Sequence, residues 1–85
     1  MALSDEWEDE HLTPNGWVSG SYRHDYGHEV TRERPPDTVL TVRRHVRVGA
    51  IGATPSVTMT ETPRVDDRAL IAELRARYGE PTFGV

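Results

Sequence analysis

The sequence predicts an α+β fold: a small antiparallel β-sheet of about three strands packed by one C-terminal α-helix, with an acidic N-terminal arm. Three observations carry it. Residues 38–48 alternate, with Leu40, Val42, Val46 and Val48 on one side and Thr41, Arg43, His45 and Arg47 on the other. Residues 56–62 alternate again, Val57 and Met59 against Ser56, Thr58, Thr60 and Thr62. Leu70, Ile71, Leu74 and Tyr78 then recur at helical spacing.

The helix has both end signals. Asp66 or Asp67 stands at its start, where a carboxylate accepts an orphan backbone N–H and favours the positive end of the dipole. Arg75 and Arg77 fall in the last turn, Gly79 suits the residue after it, and Pro81 stops propagation. Phe83 and Val85 follow as a tail able to fold back onto the sheet. The stripe is expected to bury Leu40, Val42, Val46, Val57 and Met59, leaving Arg43, His45 and Arg47 on an open face.

The strand before these two is expected over 17–23, after the turn residues Thr13-Pro14-Asn15-Gly16. Val18 and Tyr22 would share one face with Gly20 between them, which weakens the strand or marks a bulge; Trp17, Ser19 and Ser21 would face the other way. Residues 24–36 are polar and irregular and end in Pro35-Pro36. Residues 49–55 read as the loop of a hairpin.

Residues 1–12 form the arm, in which Asp5, Glu6, Glu8, Asp9 and Glu10 surround Trp7. A helical turn would put Leu3 and Trp7 on one face, while so many like charges favour fraying. The arm is either a solvated tail or a docking element with Trp7 as its anchor. Covering the basic strand, in its own or a neighbouring subunit, would satisfy both charged patches in one contact. Residues 13–85 are taken as a single β-β-β-α domain.

Composition narrows the function. Leu, Ile, Val and Phe number 17 of 85 residues, and the net charge is −4, so the fold is marginal and gains from a partner or a second copy. There is no cysteine, hence no disulfide framework or thiolate zinc site. No apolar run approaches the ~20 residues of a membrane span. The acidic start does not resemble a signal peptide, and a cytoplasmic location is expected. All ten basic residues are arginine, as a GC-rich genome would give.

The densest group of reactive side chains is Tyr22-Arg23-His24-Asp25-Tyr26-Gly27-His28-Glu29. His24 and His28 have a zinc-like spacing, but Gly27 argues against the helix that would make it useful, and a third histidine (His11 or His45) would have to converge. No metal or other cofactor is expected. Adjacent His24 and Asp25 diverge in extended chain, and Ser19 and Ser21 lack a nucleophile elbow, so no catalytic residue is assigned. Arg43, His45 and Arg47 with Trp7, Trp17, Tyr22 and Tyr26 form the expected partner-binding set. Nucleic acid could use such charge and stacking, but a pI near 5.5 disfavours it.

The runs Leu12-Thr13-Pro14-Asn15-Gly16-Trp17, Tyr22-Arg23-His24-Asp25, Leu40-Thr41-Val42-Arg43-Arg44 and Gly79-Glu80-Pro81-Thr82-Phe83-Gly84-Val85 resemble small proteins encoded by bacteriophages of high-GC actinobacteria, mycobacteriophages especially. The resemblance spans residues 12–85 and carries no assigned activity. It implies either a non-enzymatic module that binds a host or phage protein, or a self-associating structural or assembly component of a phage particle.

Overall fold

The computed structural model describes residues 4–23, 29–48 and 54–83. Five strands form one antiparallel sheet: β1 (Ser4–Thr13), β2 (Gly16–Arg23), β3 (Glu29–Val30), β4 (Leu40–Val48) and β5 (Ser56–Pro63), in the order β3-β2-β1-β4-β5. One helix, α1 (Arg68–Tyr78), follows. The expected strands and helix are present near their expected bounds. Tyr26, His24 and His28, the loop glycines 49 and 52, and Val85 lie outside the described residues.

The sheet has five strands rather than about three: β3 is a two-residue pairing within the segment 24–36 expected to be irregular, and β1 comes from the acidic segment. Residues 4–13 are not an arm or a helical turn: they form β1, the central strand, paired with β2 on one side and β4 on the other. Carboxylates are poor strand formers and give no apolar alternation to read. Their favourable terms are cross-strand. Asp9 stands opposite Arg43, Glu8 opposite Arg44, and Asp5 opposite Arg47. Opposite charges in directly facing positions stabilise a strand pair.

Thr13-Pro14-Asn15-Gly16 closes the β1–β2 hairpin. The Thr13 hydroxyl accepts from the Asn15 N–H and donates to the Gly16 carbonyl. Gly16 has φ +118°, a conformation that L side chains rarely adopt, and the Tyr78 ring lies against it.

Gly20 does mark a bulge. Between the pairs Glu8↔Tyr22 and Glu10↔Ser19, β2 has two residues where β1 has one. The extra residue inverts the alternation, so Tyr22 shares a face with Trp17 and not with Val18. Gly20 also makes room. A Cβ there would stand 2.3 Å from His11 Nε2 and 3.0 Å from Asp9 Cβ.

Helix α1 packs over one end of the sheet only. Its core is Leu12, Val39, Leu40, Val42, Ile71, Leu74 and Phe83, with Trp17 and Leu70 against it. Asp67 caps the helix, its Oδ1 accepting from the Leu70 N–H at 3.0 Å. At the other end Trp17 Nε1 donates to the Gly79 carbonyl and the Tyr78 hydroxyl to that of Pro14, fastening the helix to the hairpin. An 11-residue helix is about 16 Å long, against about 30 Å for nine residues of strand. Among the described residues the helix therefore leaves the far half of that face uncovered. Val57 and Met59, expected beneath the helix, are 60% and 52% exposed. Arg44, which interrupts the apolar face of β4, closes the core: its guanidinium lies 5.0 Å from the Phe83 ring and bonds Glu8 at 2.7 Å.

Because the His11 ring is pinned over Gly20, Gly20→Ala is expected to lower stability by about 1–3 kcal/mol. The loss should shrink in a His11→Ala background, a coupling that denaturant melts of the two single variants and the double variant will measure.

Candidate functional site

Two surfaces lie away from the helix-covered core: the sheet face opposite α1, and the outer edge of β5. The opposite face takes its side chains from alternate positions of β1 and β4. Trp7 projects from the middle of β1, with the Arg23 guanidinium 5.3 Å and that of Arg43 5.4 Å from its ring. Such contacts are each worth about 0.5–1 kcal/mol at exposed sites. Trp7, Arg43, His45, Thr58 and Thr60 line a shallow groove of about 350 Å³. The indole Nε1 is buried and has no hydrogen-bond partner among the described residues.

The cations of this face are already engaged. Arg43 forms a two-point pair with Asp9, Nε to Oδ1 at 2.8 Å and Nη2 to Oδ2 at 3.0 Å. Those bonds, against some desolvation, hold its pKa above the ordinary value. His45 Nε2 lies 3.2 Å from Asp5 Oδ1, and Arg47 Nε 3.9 Å from the same oxygen. The acidic segment thus covers the basic strand, and does so within one chain. The fork-to-fork Asp9–Arg43 pair is the strongest of these contacts. The wider, exposed Arg47 contact contributes little.

The expected partner-binding residues are therefore divided. Trp7, Arg43, His45 and Arg47 share the face opposite the helix. Trp17 lies on the helix side, part-buried against the core with its N–H used by Gly79. Tyr22 also lies on that side, exposed, opposite Glu8 on β1 and Val30 on β3.

Sequence reasoning raised His11 only as a possible third metal ligand and did not find its buried position. It is 4% exposed, and its Nδ1 lies 2.8 Å from the Thr41 hydroxyl oxygen, which also accepts from Arg64 Nε. Burial holds its pKa below the ordinary 6.5; Asp9 opposes this, and Arg34 and Arg64 add to it. The only sequence signal was Gly20, whose missing side chain accommodates the ring.

The β5 edge was missed as well, and its geometry follows from one backbone bond. Arg64 N donates to Val39 O at 2.8 Å, and the β4–β5 register runs from Leu40↔Pro63 to Arg47↔Ser56 without a break. By antiparallel alternation, Thr58, Thr60 and Thr62 direct their N–H and C=O groups toward β4. Val57, Met59 and Glu61 direct theirs outward. Pro63, and by the same alternation Pro55, occupy outward positions and have no N–H to offer. Among the described residues no strand pairs with the outer side of β5, and that edge is three donors long and bounded by prolines. Glu61, its single charge, is bound by Arg75 of the helix at 2.6 Å, and Arg75 also bonds Glu80.

No helix among the described residues is long and apolar enough to cross a membrane, and no group of three or more potential metal ligands occurs among them. The chain matches no family model, no curated protein and no solved structure.

A histidine held neutral by burial takes up its proton more readily in the unfolded chain. The stability it supports is present above pH about 6.5 and is lost as pH falls through that value toward the lower folded pKa. Thermal melts between pH 7.5 and 5.5 should show the melting temperature falling with acidity, and His11→Gln should flatten that dependence.

Proposed function

We propose that this protein is a non-enzymatic protein-binding module that engages its partner by strand addition along β5. The observation that carries the reading is the edge that no described strand covers: outward N–H groups at Val57, Met59 and Glu61, set between two prolines and flanked by exposed Val57 and Met59 side chains. Soluble sheets blunt such edges with charge, bulges or cover, because an open ladder pairs with another chain. In strand addition, main-chain bonds give affinity and alternate side chains give specificity. The resemblance to phage proteins points to a host or phage protein, a copy of this chain included, as the partner.

The basic face supports a second, weaker reading as the contact surface. Its groove has an aromatic wall and hydroxyls, but Arg43, His45 and Arg47 already face acids of β1. The same pairing weakens the nucleic-acid reading, since phosphates would have to displace Asp5 and Asp9.

The test is capture on the immobilised chain from an actinobacterial lysate supplemented with untagged copies of the protein. Met59→Pro removes an N–H that β4 does not use, so it should block the edge and preserve the fold. Captured protein should fall at least tenfold for Met59→Pro and stay unchanged for Arg47→Ala, with matching circular dichroism. Retention by Met59→Pro together with loss by Arg47→Ala would place the contact on the basic face and overturn strand addition.

A further inference from the structure

We infer that the strand added to β5 is β5 of a second copy of this chain, giving a two-fold dimer with one continuous ten-stranded sheet. The inference rests on the strand-addition reading and adds the identity of the partner.

The first argument is that association through this edge closes. At the other end of the sheet β3 comprises, among the described residues, Glu29 and Val30. A head-to-tail contact of β5 on that edge would have to cross the step where β3 gives way to β2, whereas β5 on β5 is self-complementary and stops at two copies.

The second argument is side-chain complementarity. Directly opposed residues of an antiparallel pair lie on the same face, so a symmetric pairing of β5 opposes odd with odd and even with even positions. One register places Val57 of each copy opposite Met59 of the other, with Thr58 opposite Thr58 on the two-fold axis and Ser56 opposite Thr60. The N–H groups of Val57, Met59 and Glu61 then donate to the second copy's Met59, Val57 and Pro55 carbonyls. Shifting by two residues toward the C-terminus instead sets Val57 opposite Glu61, and a further shift sets Met59 opposite Glu61. Of these registers, the first is the one that opposes both Val57 and Met59 to apolar residues.

The third argument is charge. The chain has net charge −4, yet its long free edge carries only Glu61, already paired with Arg75. The strip itself therefore brings one carboxylate per copy to the contact, and Arg75 offsets it. Apolar Val48, exposed on β4, lies on the same face as Val57 and Met59 and extends the patch inward.

The chain has no cysteine, so single cysteines can report the register. In the proposed dimer the two Thr58 residues form a non-hydrogen-bonded pair with Cα atoms about 4.5 Å apart, within the roughly 4.4–6.8 Å that a disulfide spans. The two Ser56 residues, and the two Thr62 residues, are far beyond that reach. Light scattering should give twice the 9.6 kDa chain mass. Mild oxidation should cross-link Thr58→Cys and leave Ser56→Cys and Thr62→Cys uncross-linked, and Met59→Pro should be a monomer.

A chain that stays monomeric at about 100 μM, with no Thr58→Cys cross-link, overturns the dimer. If its capture of a lysate protein is still abolished by Met59→Pro, strand addition stands and only the partner was misassigned. A dimer that persists in Met59→Pro and does not cross-link at position 58 uses another surface and overturns the inference.

Discussion

A central strand containing five carboxylates holds together only if the strand beside it brings cations into register. That constraint organises this fold. β1 lies between β2 and β4, and Asp9, in its middle, is 8% exposed. A carboxylate removed from water without a partner is heavily penalised. Arg43 answers it with two parallel hydrogen bonds, while Arg44 answers Glu8 on the opposite face. Because both pairs are directly cross-strand, they also resist a slip of the β1–β4 register, which would bring unlike faces together. Glu10 shows what happens without a cation: burial raises its pKa, with only a long bond from Ser19 opposing that shift.

The same constraint divides the molecule along its length. At the hairpin end, Leu12, Leu40 and Val42 meet α1 and Phe83 in a small apolar core. Beyond Arg44 the sheet continues without the helix, held by backbone bonds and cross-strand pairs. The extents of 45 × 23 × 23 Å describe this outline: a ribbon packed at one end. A sheet half of this kind, with Val48, Val57 and Met59 exposed, is where a further strand has most apolar surface to cover.

The two sheet edges are treated differently. The β3 side is stepped, β3 covering only Tyr22 and Arg23 of β2, whereas β5 is continuously paired to β4, with hydroxyls on one face and Val57 and Met59 on the other. Pro55 and Pro63 limit its free ladder to the stretch between them. Exposed strand edges are hazardous when they are long and unbounded; a short, bounded one restricts what can pair and in which register.

The sequence by itself determined β2, β4, β5 and α1, because period-two and period-3.6 patterns, the Asp67 cap and Gly79 are local signals. It also placed a turn at Pro14-Asn15 and offered a bulge at Gly20 as one of two readings, between which the β1–β2 register decides. Arg43, His45 and Arg47 were identifiable as one face from alternation, whereas Trp7, read as part of an arm, was not placed beside them. Only the tertiary structure decided that the acidic segment is the central strand, since its stabilising contacts come from residues more than thirty positions away. Tertiary packing likewise decided that α1 covers one end, through Trp17 and Tyr78, and so left Val57 and Met59 bare. It also set which β5 amides face outward, because that parity depends on the register with β4 and not on any property of β5 alone.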